Sequence, residues 1–249
     1  MYLKECKINN FRSIKTLDIS FENSFQILVG MNESGKSNIL RALSFLNSDI
    51  NPLDDDVRDA IHDEEPIRNS DIKFVYGIEK SETGEIYKNI SSRFFSSDLN
   101  NPIIKIGSKT LSLSDFCSYK KEGIYKIDIA NKSKCSTYWE MDASKCRILP
   151  NWRKVPENWA GYSQFDENDF DFINISDYAE ISDDDTLEEL TVEDLNSVVG
   201  EEIVSIVNDN LNECIIWKYN ESNLLPGRIE IEKFKADPDI CEPLKTFSI

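Results

Sequence analysis

Apolar and polar positions alternate through the first part of the chain and then change to spacings of three and four. Tyr2 to Asn9 alternates loosely and predicts a first strand. Thr16 to Glu22 alternates cleanly, with Leu17, Ile19 and Phe21 on one face, and predicts a half-exposed second strand. Phe25 to Val29 is a short, mostly apolar run suited to a buried strand. Beyond it Ile39, Leu40, Leu43 and Leu46 recur at helical spacing, with Ala42 and Phe45 widening the stripe.

Asn47 to Asp71 is a polar, acidic connector with Pro52 and Pro66 and a short helix expected near Asp54 to Ile61. Asp71 to Glu79 reads as a strand, Glu82-Thr83-Gly84-Glu85 as a turn, and Ile86 to Phe95 as the antiparallel return. Pro102 to Leu113 and Gly123 to Ile129 are further strands, the second alternating around Ile124, Tyr125, Ile127 and Ile129. Lys134 to Tyr162, which holds Trp139, Trp152 and Trp159 with Pro150 and Pro156, reads as a packed, irregular insertion. Its Lys145, Arg147, Arg153 and Lys154 make it the one basic and aromatic patch, so a nucleic-acid contact is its alternative reading. Thr186 to Asn212 predicts one or two helices. Thr186-x-x-Glu189 and Thr191-x-x-Asp194 resemble capping boxes, and Leu195, Val198, Val199, Ile203, Ile206, Val207 and Leu211 supply a stripe. Glu213 to Tyr219 and Arg228 to Lys235 read as strands either side of the turn at Leu225-Pro226-Gly227.

Composition narrows the classes. At 249 residues and 40% apolar, the chain can bury a real core. It holds no run of eighteen apolar residues that would form a membrane span, and its charged, strand-like N-terminus does not read as a signal sequence. A cytoplasmic setting is expected. Six cysteines without a C-x-x-C pair, and a single histidine, His62, give a zinc site little to build on. His62 sits among Asp59, Asp63, Glu64 and Glu65 and reads as part of a solvated acidic turn. The net charge of −18 lies in one place: residues 155–217 hold eighteen acids and no Lys or Arg. That segment repels a nucleic-acid backbone and reads as a solvated acidic face, or as a docking surface for a basic partner.

The chemistry concentrates between the third expected strand and the helix. Gly30, Gly35, Lys36 and Ser37 fill the fixed positions of G-x-x-x-x-G-K-[ST], with Met31, Asn32, Glu33 and Ser34 between the glycines. A loop between a buried strand and a helix N-terminus turns successive N–H groups inward, and these with the helix dipole hold a polyanion. In such a loop Lys36 reaches the β- and γ-phosphates and the Ser37 hydroxyl is a ligand of Mg²⁺. The expected cofactors are ATP and Mg²⁺.

The order K-I-N-N-F-R-S-I-K, then I-S-F-E, then I-L-V-G-M-N-E-S-G-K-S-N-I-L-R-A-L-S-F-L, resembles the N-terminal lobe of ABC-type P-loop ATPases of the SMC, RecF and OLD kind, over about the first fifty residues. By that resemblance Arg12 and Ser13 lie beside the nucleotide, with Arg12 near a phosphate. Asn32, Glu33 and Ser34 belong to the loop, and Asn38 sits in the first helical turn. The implied fold is α/β: an ABC-ATPase-like lobe with an antiparallel β-subdomain and an acidic helical insertion. This divides the chain into an ATP-binding lobe (1–133), a Trp-containing and acidic insertion (134–213), and return strands with the start of a truncated continuation (214–249).

Other motifs of that family are missing. No apolar strand ends in Asp-Glu, no Ser-Gly-Gly opens a signature helix, and His62 lies too early for the switch role. Gln164 is the sole candidate for a glutamine reaching Mg²⁺ across the lobe, since Gln26 lies in the strand. The resemblance implies a homodimer or higher oligomer through ATPase heads, coupled to DNA processing or to a partner or fused nuclease, in DNA repair or phage defence. Phosphoryl transfer to water is expected in the complete protein, with a site incomplete in this chain. The alternative is a truncated, non-hydrolysing module that docks on a full-length relative.

Overall fold

The computed structural model describes residues 1–21, 28–29, 31, 34–60, 64–67, 69–96, 102–119, 121–149, 151–155, 170–177 and 187–214, together with 232 and 235. The early alternation becomes an antiparallel pair, β1 (Tyr2–Phe11) and β2 (Ile14–Ser20), joined by the two residues Arg12 and Ser13. β3 (Asp71–Gly77), β7 (Glu122–Asp128) and β8 (Ser133–Tyr138) extend the pair to a five-stranded antiparallel sheet of order β2-β1-β3-β7-β8. Because side chains alternate with period two, the register lines up apolar rows across its three central strands, β1, β3 and β7. Cys6 stands opposite Phe74 and Phe74 opposite Tyr125; Ile8, Ile72 and Ile127 form the next row. All six are buried. The other face is polar, with Lys7, Lys73 and Lys126 in one row and Asn9, Asp71 and Asp128 in the next.

The helix after the phosphate loop, α1 (Lys36–Leu43), continues into a 3₁₀ turn at Ser44–Leu46. Ala42, Phe45 and Leu46 are buried, and the Phe45 ring meets the edge of Phe11 at 5.9 Å between centroids. Lys134, at the start of β8, closes the far end by donating to the Asn47 carbonyl (2.7 Å). The long helix α4 (Val192–Asp209) covers the inner face of β7 and β8, and Leu195, Val199, Ile203 and Val207 are at most 1% exposed. Each such side chain contributes about 1.5–3 kcal/mol through burial. Close approach requires glycine twice: a Cβ on Gly123 would lie 2.2 Å from Val207, and one on Gly200 2.0 Å from the Tyr138 ring.

Two small sheets lie among the remaining described residues. β5 (Pro102–Ile106) pairs with β6 (Lys109–Ser112) and β9 (Cys146–Ile148), with α3 (Leu113–Ser118) after β6. β11 (Phe172–Asn174) pairs with β10 (Trp152–Lys154) and the two-residue β4 (Phe94–Phe95). Trp152 is buried edge-on against Phe94, which also packs on Phe172. Residues 1–212 form one unit; of the unit Glu213–Ile249, four residues are described.

Several expectations are corrected. Ile86 to Phe95 is not an antiparallel return: α2 (Lys80–Ser91) takes up the turn and most of that stretch, and only Phe94–Phe95 is strand, pairing parallel with β11. The Glu79 amide is capped by Glu82, and Ile86 and Ile90, four apart, bury one helical face. Leu28 and Val29 lie outside any strand and are 42% and 88% exposed, because no neighbouring strand pairs with them among the described residues; 25–27 lie outside those residues. Leu40, placed in the apolar stripe by its spacing, is 42% exposed. The helix near Asp54 to Ile61 shortens to a 3₁₀ turn at Asp54–Asp56. Pro102 to Leu113 is a hairpin turning at Gly107, whose φ is +57°. Lys134 to Tyr138 belongs to β8 rather than to an irregular stretch. α4 begins at the Thr191–Asp194 capping box, and Leu187 to Leu190 before it is not helical. Of the Arg228 to Lys235 strand, Glu232 and Lys235 are described and both are helical. His62, Trp159, Thr186 and residues 215–219 lie outside the described residues.

Candidate functional site

Gly35 is the pivot between loop and helix. It is the N-cap of α1 with φ +89°, in the left-handed region that glycine enters without strain. Its carbonyl accepts the first helical bonds, from the amides of Asn38 (3.0 Å) and Ile39 (3.1 Å). A Cβ there would stand 3.3 Å from the Ser13 hydroxyl oxygen, so the β1–β2 turn rests directly on the loop. Asn38 braces the contact by donating from Nδ2 to Ser13 Oγ at 2.8 Å. Lys36 folds back over its own loop and donates to the Met31 carbonyl (2.6 Å) and to Ser34 Oγ (3.1 Å). Ser37 is exposed at the helix start.

The turn on the other side of the loop is strained. Asn10 and Arg12 have φ of +49° and +48°, unusual for residues with a Cβ. Backbone contacts to residues 56–58 hold them there: the Arg12 amide donates to the Asp56 carbonyl (3.0 Å), the Arg58 amide to the Asn10 carbonyl (2.9 Å), and Phe11 forms a bridge with Val57. Asp56 is fully buried, accepting from Arg12 Nε (2.7 Å), Arg41 Nη2 (3.1 Å) and the Leu53 amide (3.0 Å). Burial alone would raise its pKa. The Leu53 amide and the two guanidiniums outweigh that and hold the carboxyl below its ordinary value.

Thus the structure brings together Arg12, Ser13, Ser34, Gly35, Lys36, Ser37 and Asn38. Gly30, Asn32, Glu33 and Gln164 lie outside the described residues. Sequence reasoning missed Arg41 and Asp56. Arg41 is simply one more polar position on α1, and nothing separates Asp56 from the exposed Asp54 and Asp55 beside it in the connector.

The arrangement fits a phosphate group. A left-handed glycine at a helix N-terminus and an adjacent ammonium, now satisfied by a carbonyl and a hydroxyl, can bind an anion in their place. The exposed Ser37 hydroxyl suits Mg²⁺, which keeps most of its ligands as water and phosphate oxygens. The basic and aromatic patch, by contrast, is partly taken up by packing and ion pairs, although Lys145 and Arg147 stay exposed. Trp152 is 2% exposed, and Lys154 pairs with Glu188 and Asp194 while Arg153 faces Glu189. Part of the acidic segment is therefore spent on internal pairs. Among the described residues, no helix is long and apolar enough to cross a membrane.

Residues 1–237 match the family described as AAA ATPase domain. The DNA replication and repair protein RecF of Oenococcus oeni is 37% identical over 62 residues, which is 25% of this chain and 17% of that protein. RecF of Lactobacillus acidophilus is 44% identical over 46 residues, 18% of this chain and 12% of that protein. An uncharacterised protein of Methanocaldococcus jannaschii is 47% identical over 49 residues, 20% of this chain and 15% of its own length. These matches therefore span less than a fifth of each relative. A solved structure from work on ATP-driven dimerization and DNA-stimulated activation of SMC ATPases covers 56% of this chain and 69% of its own, at 18% identity and a TM-score of 0.32, too slight a likeness to bear on the site.

Proposed function

We propose, from the premise that this chain belongs to the AAA ATPase domain family, that its phosphate loop binds ATP with Mg²⁺ and that two such heads close on each other over the nucleotide to gate a DNA-processing step or an associated nuclease. Gly30, Asn32, Glu33, Ser34 and Gly35 would form the cradle, and Lys36 would hold the β- and γ-phosphates. Ser37 would take the metal, Gln164 would reach it across the lobe, and Arg12, Ser13 and Asn38 would flank the nucleotide. ATP supplies the transferable γ-phosphoryl group, and Mg²⁺ neutralises charge on its oxygens. The observation that carries the reading is the cluster around left-handed Gly35: Lys36 folded over the loop on one side, the Ser13–Asn38 pair on the other. The RecF relatives' role in DNA replication and repair supports placing the function there, and a cytoplasmic setting is part of the same proposal. An OLD-like arrangement with a fused nuclease, acting in phage defence, is the more specific form of the same proposal.

No residue of this chain is assigned to position the attacking water, so the chain alone should bind without much turnover. A binding-only module docking on a longer relative is the second reading, favoured by that same gap. The test is ATP binding and hydrolysis by the purified chain beside Lys36→Ala, with and without Mg²⁺. Binding that needs Lys36 is expected, with little phosphate release. Equal affinity in Lys36→Ala would refute the site. Brisk turnover by the wild-type chain would refute its incompleteness.

A further inference from the structure

A carboxylate with no exposed surface requires partners to stay charged, and those of Asp56 come from both sides of the phosphate loop. Arg12 belongs to the β1–β2 turn, whose next residue, Ser13, touches Gly35 and Asn38. Arg41 lies on α1, the helix that begins with Lys36 and Ser37. One carboxylate therefore joins the turn to the helix, through Arg12 Nε on Oδ1 and Arg41 Nη2 on Oδ2. Arg41 is further fixed by the Asn51 carbonyl (3.3 Å) and by the Phe45 ring, 4.6 Å below its guanidinium.

Arg12 is held at two points by the same residue. Its amide donates to the Asp56 carbonyl and its Nε to the Asp56 carboxylate, while the backbone occupies a left-handed conformation that an arginine does not choose unaided. Both terminal nitrogens are without a partner among the described residues, and the side chain is 34% exposed. A guanidinium locked by its inner edge, with its outer donors open and on a turn whose next residue rests on the phosphate loop, has the fork geometry of a pre-organised phosphate ligand.

We propose that Asp56 is a positioning residue for nucleotide binding: it locks Arg12 so that the open terminal nitrogens meet the phosphates held by the loop, and through Arg41 it ties that donor to α1. This rests on the nucleotide reading above. The bland competitor is a buried ion pair that only stabilises the fold.

The experiment is Mg·ATP affinity by equilibrium titration for wild type, Asp56→Asn, Arg12→Ala, the double variant and Arg12→Lys, at a temperature where circular dichroism shows each folded. Asp56→Asn keeps the shape and removes the charge. It should weaken binding roughly 10–100-fold, as loss of a charge-assisted bond does. In the Arg12→Ala background the same change should cost nothing more. Arg12→Lys offers one ammonium where two edges are needed, and should bind as weakly as Arg12→Ala. Wild-type affinity in folded Asp56→Asn, an equal loss with and without Arg12, or wild-type affinity in Arg12→Lys each overturns the proposal. The Arg12→Lys arm decides alone if Asp56→Asn does not fold. Lys36→Ala separates the two levels: if it binds ATP as wild type does, the nucleotide reading has failed, whatever Asp56 does.

Discussion

Lys121, just ahead of β7, is 6% exposed, and no carboxylate pairs with it among the described residues. Its ammonium lies 3.9 Å from the Phe116 ring centroid and 5.9 Å from that of Trp139. Burial disfavours the charged form and pulls the pKa from 10.5 down to about 8, with nearby Cys117 acting weakly the other way. Between those values the unfolded chain binds the proton and the folded one does not, so stability rises with pH across that window. The penalty is full below pH 8 and fades toward pH 10.5. Linkage puts it at about 3 kcal/mol at pH 7 and roughly 1 kcal/mol at pH 9.5. Lys121→Met keeps the apolar stem and removes the charge, together with a cation–π contact worth about 1–2 kcal/mol. The variant should therefore be more stable than wild type by about 1–3 kcal/mol at pH 7, and the gap should shrink by about 2 kcal/mol at pH 9.5. Urea unfolding of both proteins at each pH, followed by circular dichroism, measures the difference, in which groups common to both cancel. A gap that does not move with pH would refute the argument that Lys121 is buried as a cation.

Two further outcomes test the packing of α4. Gly200→Ala should destabilise by about 1–3 kcal/mol despite alanine's better helix propensity, because the new methyl meets the Tyr138 ring; combined with Tyr138→Leu, most of the loss should disappear in urea unfolding. Asn196, 5% exposed, makes a two-bond contact with Met141, accepting from its amide at 3.2 Å and donating to its carbonyl at 3.0 Å. Asn196→Leu should cost about 2–4 kcal/mol and speed hydrogen exchange at the Met141 amide; unchanged exchange would mean the contact is not made in solution.

Where side-chain periodicity and backbone capping act within a few residues, the elements are legible in the chain. β1, β2, β3 and β7 follow alternation. The start of α4 follows Thr191 and Asp194, since a cap bonds its own first turn. The phosphate loop is equally local: Gly35 is left-handed because the turn from loop to helix demands it, and Lys36 and Ser37 must follow. Local signals fail where neighbours decide. Ile86 and Ile90 suit a strand as well as a helix, and it is the buried surface meeting one helical face that selects α2. Val29 looks like core, yet it is exposed where no described strand adjoins it. Arg153 and Lys154 look like a basic patch until Glu188, Glu189 and Asp194 are brought beside them. The Asp56 clamp is the clearest case: Arg12, Arg41 and Asp56 are charged residues at unremarkable spacings, and only chain folding removes water from one of three consecutive aspartates. Once buried, its charge must be answered by two arginines from different elements, and that requirement is visible only in the tertiary structure.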